Sequence, residues 1–241
     1  MSLASIWLLG VLLGMRHATD ADHVAAVASL ATRTRSVAQT VWLGVAWGAG
    51  HTFTLFVCGG AVLVLGLVVP LRAAQALEVA VGGMLLLLGA DVLLRVRRDR
   101  IHFHRHRHLD GVEHVHAHSH PYGRPPRDLS CHRHVHSRGF PARALLVGMM
   151  HGMAGSAAIV LLSLEAMGST LARFGYIAMF GLGSILGMAL LSTAIALPLR
   201  WSARLPVWTH AAFSSLIGAA TLCAGLYLVY QVGIADGMPS G

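Results

Sequence analysis

Six stretches of the chain, roughly residues 3–30, 38–69, 73–95, 142–166, 170–198 and 207–232, are apolar and long enough to cross about 30 Å of hydrocarbon at about 1.5 Å per residue. In lipid every backbone polar group must find its partner inside the protein, so such stretches have to be helical. The 241 residues are 55% hydrophobic and 12% charged, with a mean hydropathy of +0.64, well outside the range of soluble domains. The expected fold is an all-α integral membrane protein with six transmembrane helices.

The first stretch departs from the other five. Its centre, GMRHATDADHV from Gly14 to Val24, places Arg16, His17, Asp20, Asp22 and His23 where charge is least welcome. Arg or Asp at a bilayer centre costs about 3 kcal/mol each on insertion scales. On a regular helix His17, Asp20 and His23, spaced i, i+3, i+6, share a sector of roughly 120° with Arg16, and Asp22 points elsewhere. For Asp22 to join them the helix must break or bend near Ala18 to Ala21, which is tolerated only where the freed backbone is buried in protein or lines a cavity. Two imidazoles and one or two carboxylates suit a divalent first-row transition metal. The plainer alternative is an Arg16–Asp20 ion pair at i, i+4, neutralising itself, with the histidines merely hydrogen-bonded; it leaves Asp22 unexplained.

A metal in a helix bundle is ordinarily held by donors on facing helices. His51, in WGAGHTFT of the second stretch, is the expected partner, with Thr52 and Thr54 available to fix an imidazole tautomer. His151 is a further candidate ligand or pathway residue. Asp91 and Glu165 lie near span ends and read as snorkelling to the interface, and His210 beside Trp208 reads as interfacial.

The halves of the chain resemble each other. GMRHATDADHVAAVASL (14–30) aligns with GMMHGMAGSAAIVLLSL (148–164), WGAGHTFT (47–54) with FGLGSILG (180–187), and VGGMLLLLGADVLLR (81–95) with IGAATLCAGLYLVYQ (217–231), at offsets of 133 to 136 residues. His17 falls on His151. A repeat of three spans reverses orientation in the membrane, so the expectation is an inverted repeat of three plus three helices with the first helix broken or bent. The domain reading is a first repeat at 1–95, a flexible His-rich loop at 96–141 and a second repeat at 142–241. Four GxxxG spacings, at Gly10/Gly14, Gly44/Gly48, Gly148/Gly152 and Gly183/Gly187, favour close helix approach.

The loop carries 11 of the 16 histidines and 9 of the 18 arginines, in runs such as HFHRHRH, HVHAHSH and HRHVH. Alternating histidines chelate Ni²⁺, Co²⁺, Zn²⁺ or Cu²⁺; a solvated or pH-responsive tract is the other reading. The basic charge is a topology signal and not a nucleic-acid surface: it puts the loop in the cytoplasm and both termini outside. Cys58, Cys131 and Cys223 form no CxxC pair, and no removable signal sequence is expected.

His17-x4-Asp22-His23 matches the HX4DH signature of the nickel/cobalt transporter family, and WGAGHTF resembles that family's second, Gly-His-Ser/Thr element. Together with GMMHGMAGSAAIVLLSL, the first segment looks like the shorter six-span branch grouped with urease accessory proteins. The resemblance implies a permease of the bacterial cytoplasmic membrane moving Ni²⁺ or Co²⁺ as cargo, with no prosthetic group and no enzymatic activity. It implies His17, Asp22 and His23 as metal-handling residues and His51 as their partner; Asp20 and His151 complete the candidate metal set. It also implies a cytoplasmic metallochaperone or metalloenzyme, in urease or hydrogenase maturation, as recipient. A long His-rich loop between the third and fourth spans is similar to related efflux proteins too, and export through the same site is the alternative. A membrane metalloenzyme would want a motif such as HExxH, and a partner ATPase would supply the Walker A motif; the chain has neither.

Overall fold

The computed structural model describes residues 3–34, 36–66, 70–98, 102–107, 113–118, 141–154, 169–202 and 207–235. Helix α1 (Leu3–His17) and helix α2 (Ala21–Ala31) divide the first apolar stretch between them. Helix α3 (Val37–Leu65) starts at Ser36, whose hydroxyl accepts the Gln39 N–H (3.1 Å), and stops at Gly66 in the left-handed region, φ 62. Helix α4 (Leu71–Arg98) follows Pro70, and α5 (Ala142–Met153) follows Pro141. Helix α6 (Thr170–Ser202) carries Pro198 in its last turns, and α7 (Val207–Tyr230) runs into a single π turn, Gln231–Ala235.

Among the described residues four helices are long and apolar enough to cross a membrane: α3, α4, α6, and α7 taken with its π turn as Trp208–Gly233. The first stretch is met by the two short apolar helices α1 and α2, because its polar centre interrupts the helix. The fourth stretch is described only as far as Ala154; its remainder, with Glu165, lies outside the described residues.

The bundle is helical throughout, as expected of a membrane protein, but the His-rich segment is not purely loop. Strands β1 (His102–Arg107) and β2 (Glu113–His118) pair antiparallel, with His102, His104 and His106 opposite His118, His116 and His114. This short hairpin lies within the segment read as a loop, apart from the all-helical bundle. An H-x-H-x-H pattern has the two-residue period of a strand. Cys131 and the histidines at 108, 120, 132, 134 and 136 lie outside the described residues.

Helix α1 packs on α6, α3 on both α5 and α6, and α4 on α7, while α2 rests against α4, α6 and α7. These contacts depend on backbones meeting closely. A Cβ at Gly14 would strike the Phe180 carbonyl, and one at Gly148 the Trp47 carbonyl; Gly183 meets the Val11 carbonyl and Gly50 that of Leu145; Gly82 meets the Gly225 carbonyl and Gly89 that of Gly218. Each contact has a partner contact displaced by 133 to 136 residues on both sides. The largest buried side chains include Trp47, Tyr176, Leu55, Leu85 and Met188, whereas Leu8, Phe53, Leu87, Leu190 and Trp201 stand on the outside. A surface this apolar is matched to lipid.

Helix α2 is also held by polar contacts. Ser29 and Thr221 hydroxyls pair at 2.8 Å, and Thr221 donates to the Ala25 carbonyl (3.1 Å), joining α2 to α7. Arg33 pairs with Asp91, which also takes Arg95 at 3.1 Å, joining the turn after α2 to α4. Asp91, half-buried near the end of its span, accepts from two guanidinium groups. His210 accepts or donates at Nδ1 with the Ser202 hydroxyl, 3.0 Å away.

Gly148→Ala, which puts a methyl group on a carbonyl that cannot yield, should lower stability by about 1–3 kcal/mol. Gly83→Ala, with nothing within 4 Å of its added Cβ, should leave it unchanged or slightly higher. Detergent-solubilised thermal unfolding followed by size-exclusion monodispersity checks both.

Candidate metal site

The first helix ends because its backbone tightens and then turns out. The Thr19 and Asp20 N–H groups donate three residues back, to Arg16 (2.9 Å) and His17 (3.1 Å), and the Thr19 hydroxyl takes the Arg16 carbonyl as well (2.6 Å). Asp20 then adopts extended φ −62, ψ 146 and starts α2 as its N-cap residue. An N-cap aspartate ordinarily accepts from the first-turn N–H groups. Asp20 makes no such bond; its carboxylate accepts from His17 Nδ1 at 2.7 Å instead.

Three helix ends meet at this break. Helices α1 and α5 bring their C-terminal carbonyls, with His17 and His151 in their last turns, and α2 brings its N-terminus with Asp22 in the first turn. Carbonyl ends carry partial negative charge and favour a cation, and Asp22 offsets the positive end of α2. His51, midway along α3, faces the same point. Ring centroids lie 4.5 Å apart for His17 and His23, 5.2 Å for His17 and His51, 5.5 Å for His23 and His51, and 4.5 Å for His23 and His151.

The carboxylates decide which ring nitrogens carry protons. A carboxylate only accepts, so His17 donates from Nδ1 to Asp20, His23 from Nδ1 to Asp22 Oδ1 (3.0 Å), and His151 from Nε2 to Asp22 Oδ2 (3.0 Å). The opposite nitrogens, His17 Nε2, His23 Nε2 and His151 Nδ1, are left with lone pairs. These three atoms and both nitrogens of His51 are buried without a hydrogen-bond partner. Unsatisfied buried polar atoms cost about 1–3 kcal/mol each. His23, His51 and His151 are only 2%, 0% and 3% exposed.

His17, His23 and His51 offer ligand atoms within 4.8 Å of one another, and so do Asp22, His23 and His151; either set can hold a metal ion. Carboxylate-to-imidazole hydrogen bonds behind the ligating nitrogens are the usual device that orients a metal-binding histidine. Asp20 stands behind His17 in this way and is half exposed, at the mouth of the break.

The geometry brings together all six residues singled out in the sequence: His17, Asp20, Asp22, His23, His51 and His151. One expectation is corrected. Thr52 and Thr54 do not fix an imidazole; their hydroxyls donate to the carbonyls of Gly181 (3.0 Å) and Gly50 (3.1 Å), since a helical threonine reaches its own preceding turn or a close neighbour first. Among the described residues Asp20 pairs with His17 and not with Arg16, because the chain leaves the helix before an i, i+4 contact can form. Two aromatic walls were not anticipated. Trp47 lies 6.1 Å from His23 and 5.2 Å from His151, and Phe180 lies 5.5 Å from His17. Trp47 is four residues before His51 and so on its face of α3, a legible signal, and Phe180 is the residue on which Trp47 falls in the internal alignment.

Removing Asp20 should loosen His17 without removing a metal donor. Asp20→Ala is expected to slow Ni²⁺ or Co²⁺ flux about 10- to 100-fold. His23→Ala, which takes a donor from both sets, should abolish binding at the break. Proteoliposome flux reads the first and isothermal calorimetry the second, both with the histidines between 102 and 136 replaced by serine.

No protein-family model matches the chain, and no solved structure matches it. Over 237 residues the chain is 30% identical to the urease accessory protein UreH of Bacillus sp. (strain TB-90), an alignment that covers 98% of this chain and 95% of that protein. At that identity and near-complete coverage on both sides, the chain belongs to the urease accessory protein UreH family.

Proposed function

We propose that the chain is a secondary transporter that imports Ni²⁺ or Co²⁺ through the helix break, across the bacterial cytoplasmic membrane. The observation that carries this reading is the set of buried imidazole nitrogens with no hydrogen-bond partner among the described residues, on histidines whose ligand atoms lie within 4.8 Å of one another in each group. Imidazole donors favour nickel, cobalt, zinc or copper over magnesium or calcium, and the similar protein is a urease accessory protein by name. The roles are as follows: His17, His23 and His51 ligate; Asp20 orients His17; Asp22 orients His23 and His151. The ion is cargo, and the chain performs no covalent chemistry.

The paired glycine contacts support an inverted repeat of three plus three spans, as does the placing of Phe180 against His17 and Trp47 against His151. In that arrangement α1 enters from outside, α5 from the cytoplasm, and their ends meet near the midplane, so rocking of one repeat against the other exposes the break to each side in turn. The excess of arginine around the His-rich segment puts that segment in the cytoplasm, where its histidines accept the released ion before a metallochaperone of urease or hydrogenase maturation takes it.

Proteoliposomes loaded with the intact protein should accumulate radiolabelled Ni²⁺, and those with His23→Ala should not. Flux should fall on acidification, because a protonated imidazole has no lone pair for the metal. In cells, expression should raise nickel content; lower content together with greater nickel tolerance would establish export instead.

A further inference from the structure

The five donors at the break do not form one ligand sphere. His17, His23 and His51 make one group and Asp22, His23 and His151 another, and only His23 is in both. The geometry points to a two-position relay, in which a single ion passes from a three-imidazole position to an Asp22–His23–His151 position through the shared ligand His23. This inference rests on the transport reading and specifies how the ion moves through that site.

The second position is dimensioned for a metal. Asp22 lies 3.0 Å from both His23 Nδ1 and His151 Nε2. Two donors about 2.1 Å from an ion and at right angles to each other are separated by about 3 Å. The hydrogen bonds that join these groups are therefore of the length that coordination would replace. In the first position His23 ligates through Nε2 and keeps its proton on Nδ1. In the second it ligates through Nδ1 and carries the proton on Nε2, while His151 moves its own from Nε2 to Nδ1, so no proton is gained or lost.

The two positions differ in charge. Three neutral imidazoles put no charge in direct contact with a bound dication, their carboxylates standing one ring behind, whereas Asp22 would touch the ion itself, which draws it onward from α1 and α3 to α2 and α5. A shared ligand lets the transfer proceed without a bare ion between positions, and it forbids double occupancy. Conduction through a narrow site requires binding strong enough to strip water and divided enough to release the ion. His151 comes from the second half of the chain, so the step from one position to the other is also a step between the two halves.

The test uses full-length protein with the histidines between 102 and 136 replaced by serine, Ni²⁺ equilibrium dialysis for binding, Co²⁺ absorption for coordination, and proteoliposome flux. The intact background should bind one ion. His151→Gln should keep one ion with affinity changed by less than about fivefold, and so should His17→Gln, each with a different Co²⁺ spectrum, while flux falls at least about 30-fold in both. Retained binding shows that the variants fold. His23→Gln should lose the ion altogether. Two ions bound at once by the background, equal loss of affinity in His17→Gln and His151→Gln, or undiminished flux in His151→Gln would overturn the relay and leave transport standing. A background that binds no ion but folds would sink the transport reading and the relay with it.

Discussion

Two carboxylates fix the protonation of three imidazoles, and most of what is distinctive about this protein depends on that. Asp20 and Asp22 can only accept hydrogen bonds, so each ring nitrogen they contact is a donor and each opposite nitrogen is a lone pair. The result is a set of buried bases with no hydrogen-bond partner among the described residues. The hydroxyls of Thr52 and Thr54, beside His51 in sequence, are committed to backbone carbonyls, and the walls are Trp47 and Phe180.

The break in the first helix makes this arrangement possible, and the glycines make the break affordable. Ending α1 at His17 and starting α2 at Ala21 frees backbone groups that lipid cannot satisfy. They are covered because α6 comes close enough at Gly183 and Gly187, and α5 close enough to α3 at Gly148 and Gly152, for backbones to pack directly. The short helix α2 is then pinned on its far side by the Ser29–Thr221 hydroxyl pair and by Asp91 with its two arginines. Those contacts are individually weak, since half-exposed ion pairs contribute about 0–1 kcal/mol. Their placement matters more than their strength: all of them hold the one element whose N-terminus carries Asp22 and His23.

Much of the site was legible in eleven residues. The helical phase of His17, Asp20 and His23 left Asp22 off the shared face, which required a break, and the break lies at Ala18 to Asp20. The requirement for facing donors named His51, and the internal alignment named His151. What the sequence did not carry was the choice among partners close in space. Asp20 had Arg16 and His17 within reach, and which one it took depended on where the helix stopped. The pairing of Asp91 with Arg33 was not legible because the two lie 58 positions apart. Trp47 and Phe180 were not singled out, since aromatic side chains in helices are usually packing residues. The pairing of the histidine runs at 102–107 and 113–118 was hidden by a composition that reads as solvated loop.

The central claim is that a metal ion completes this pocket. The most direct measurement is nickel-edge anomalous diffraction, or nickel-edge X-ray absorption, on protein loaded with one equivalent of Ni²⁺. The account predicts one ion at the helix break with imidazole nitrogens in its coordination sphere, within bonding distance of His23. Nickel found only among the histidines of the 102–118 segment, with the pocket at the break still closed by its own carboxylate-to-imidazole hydrogen bonds, would contradict it.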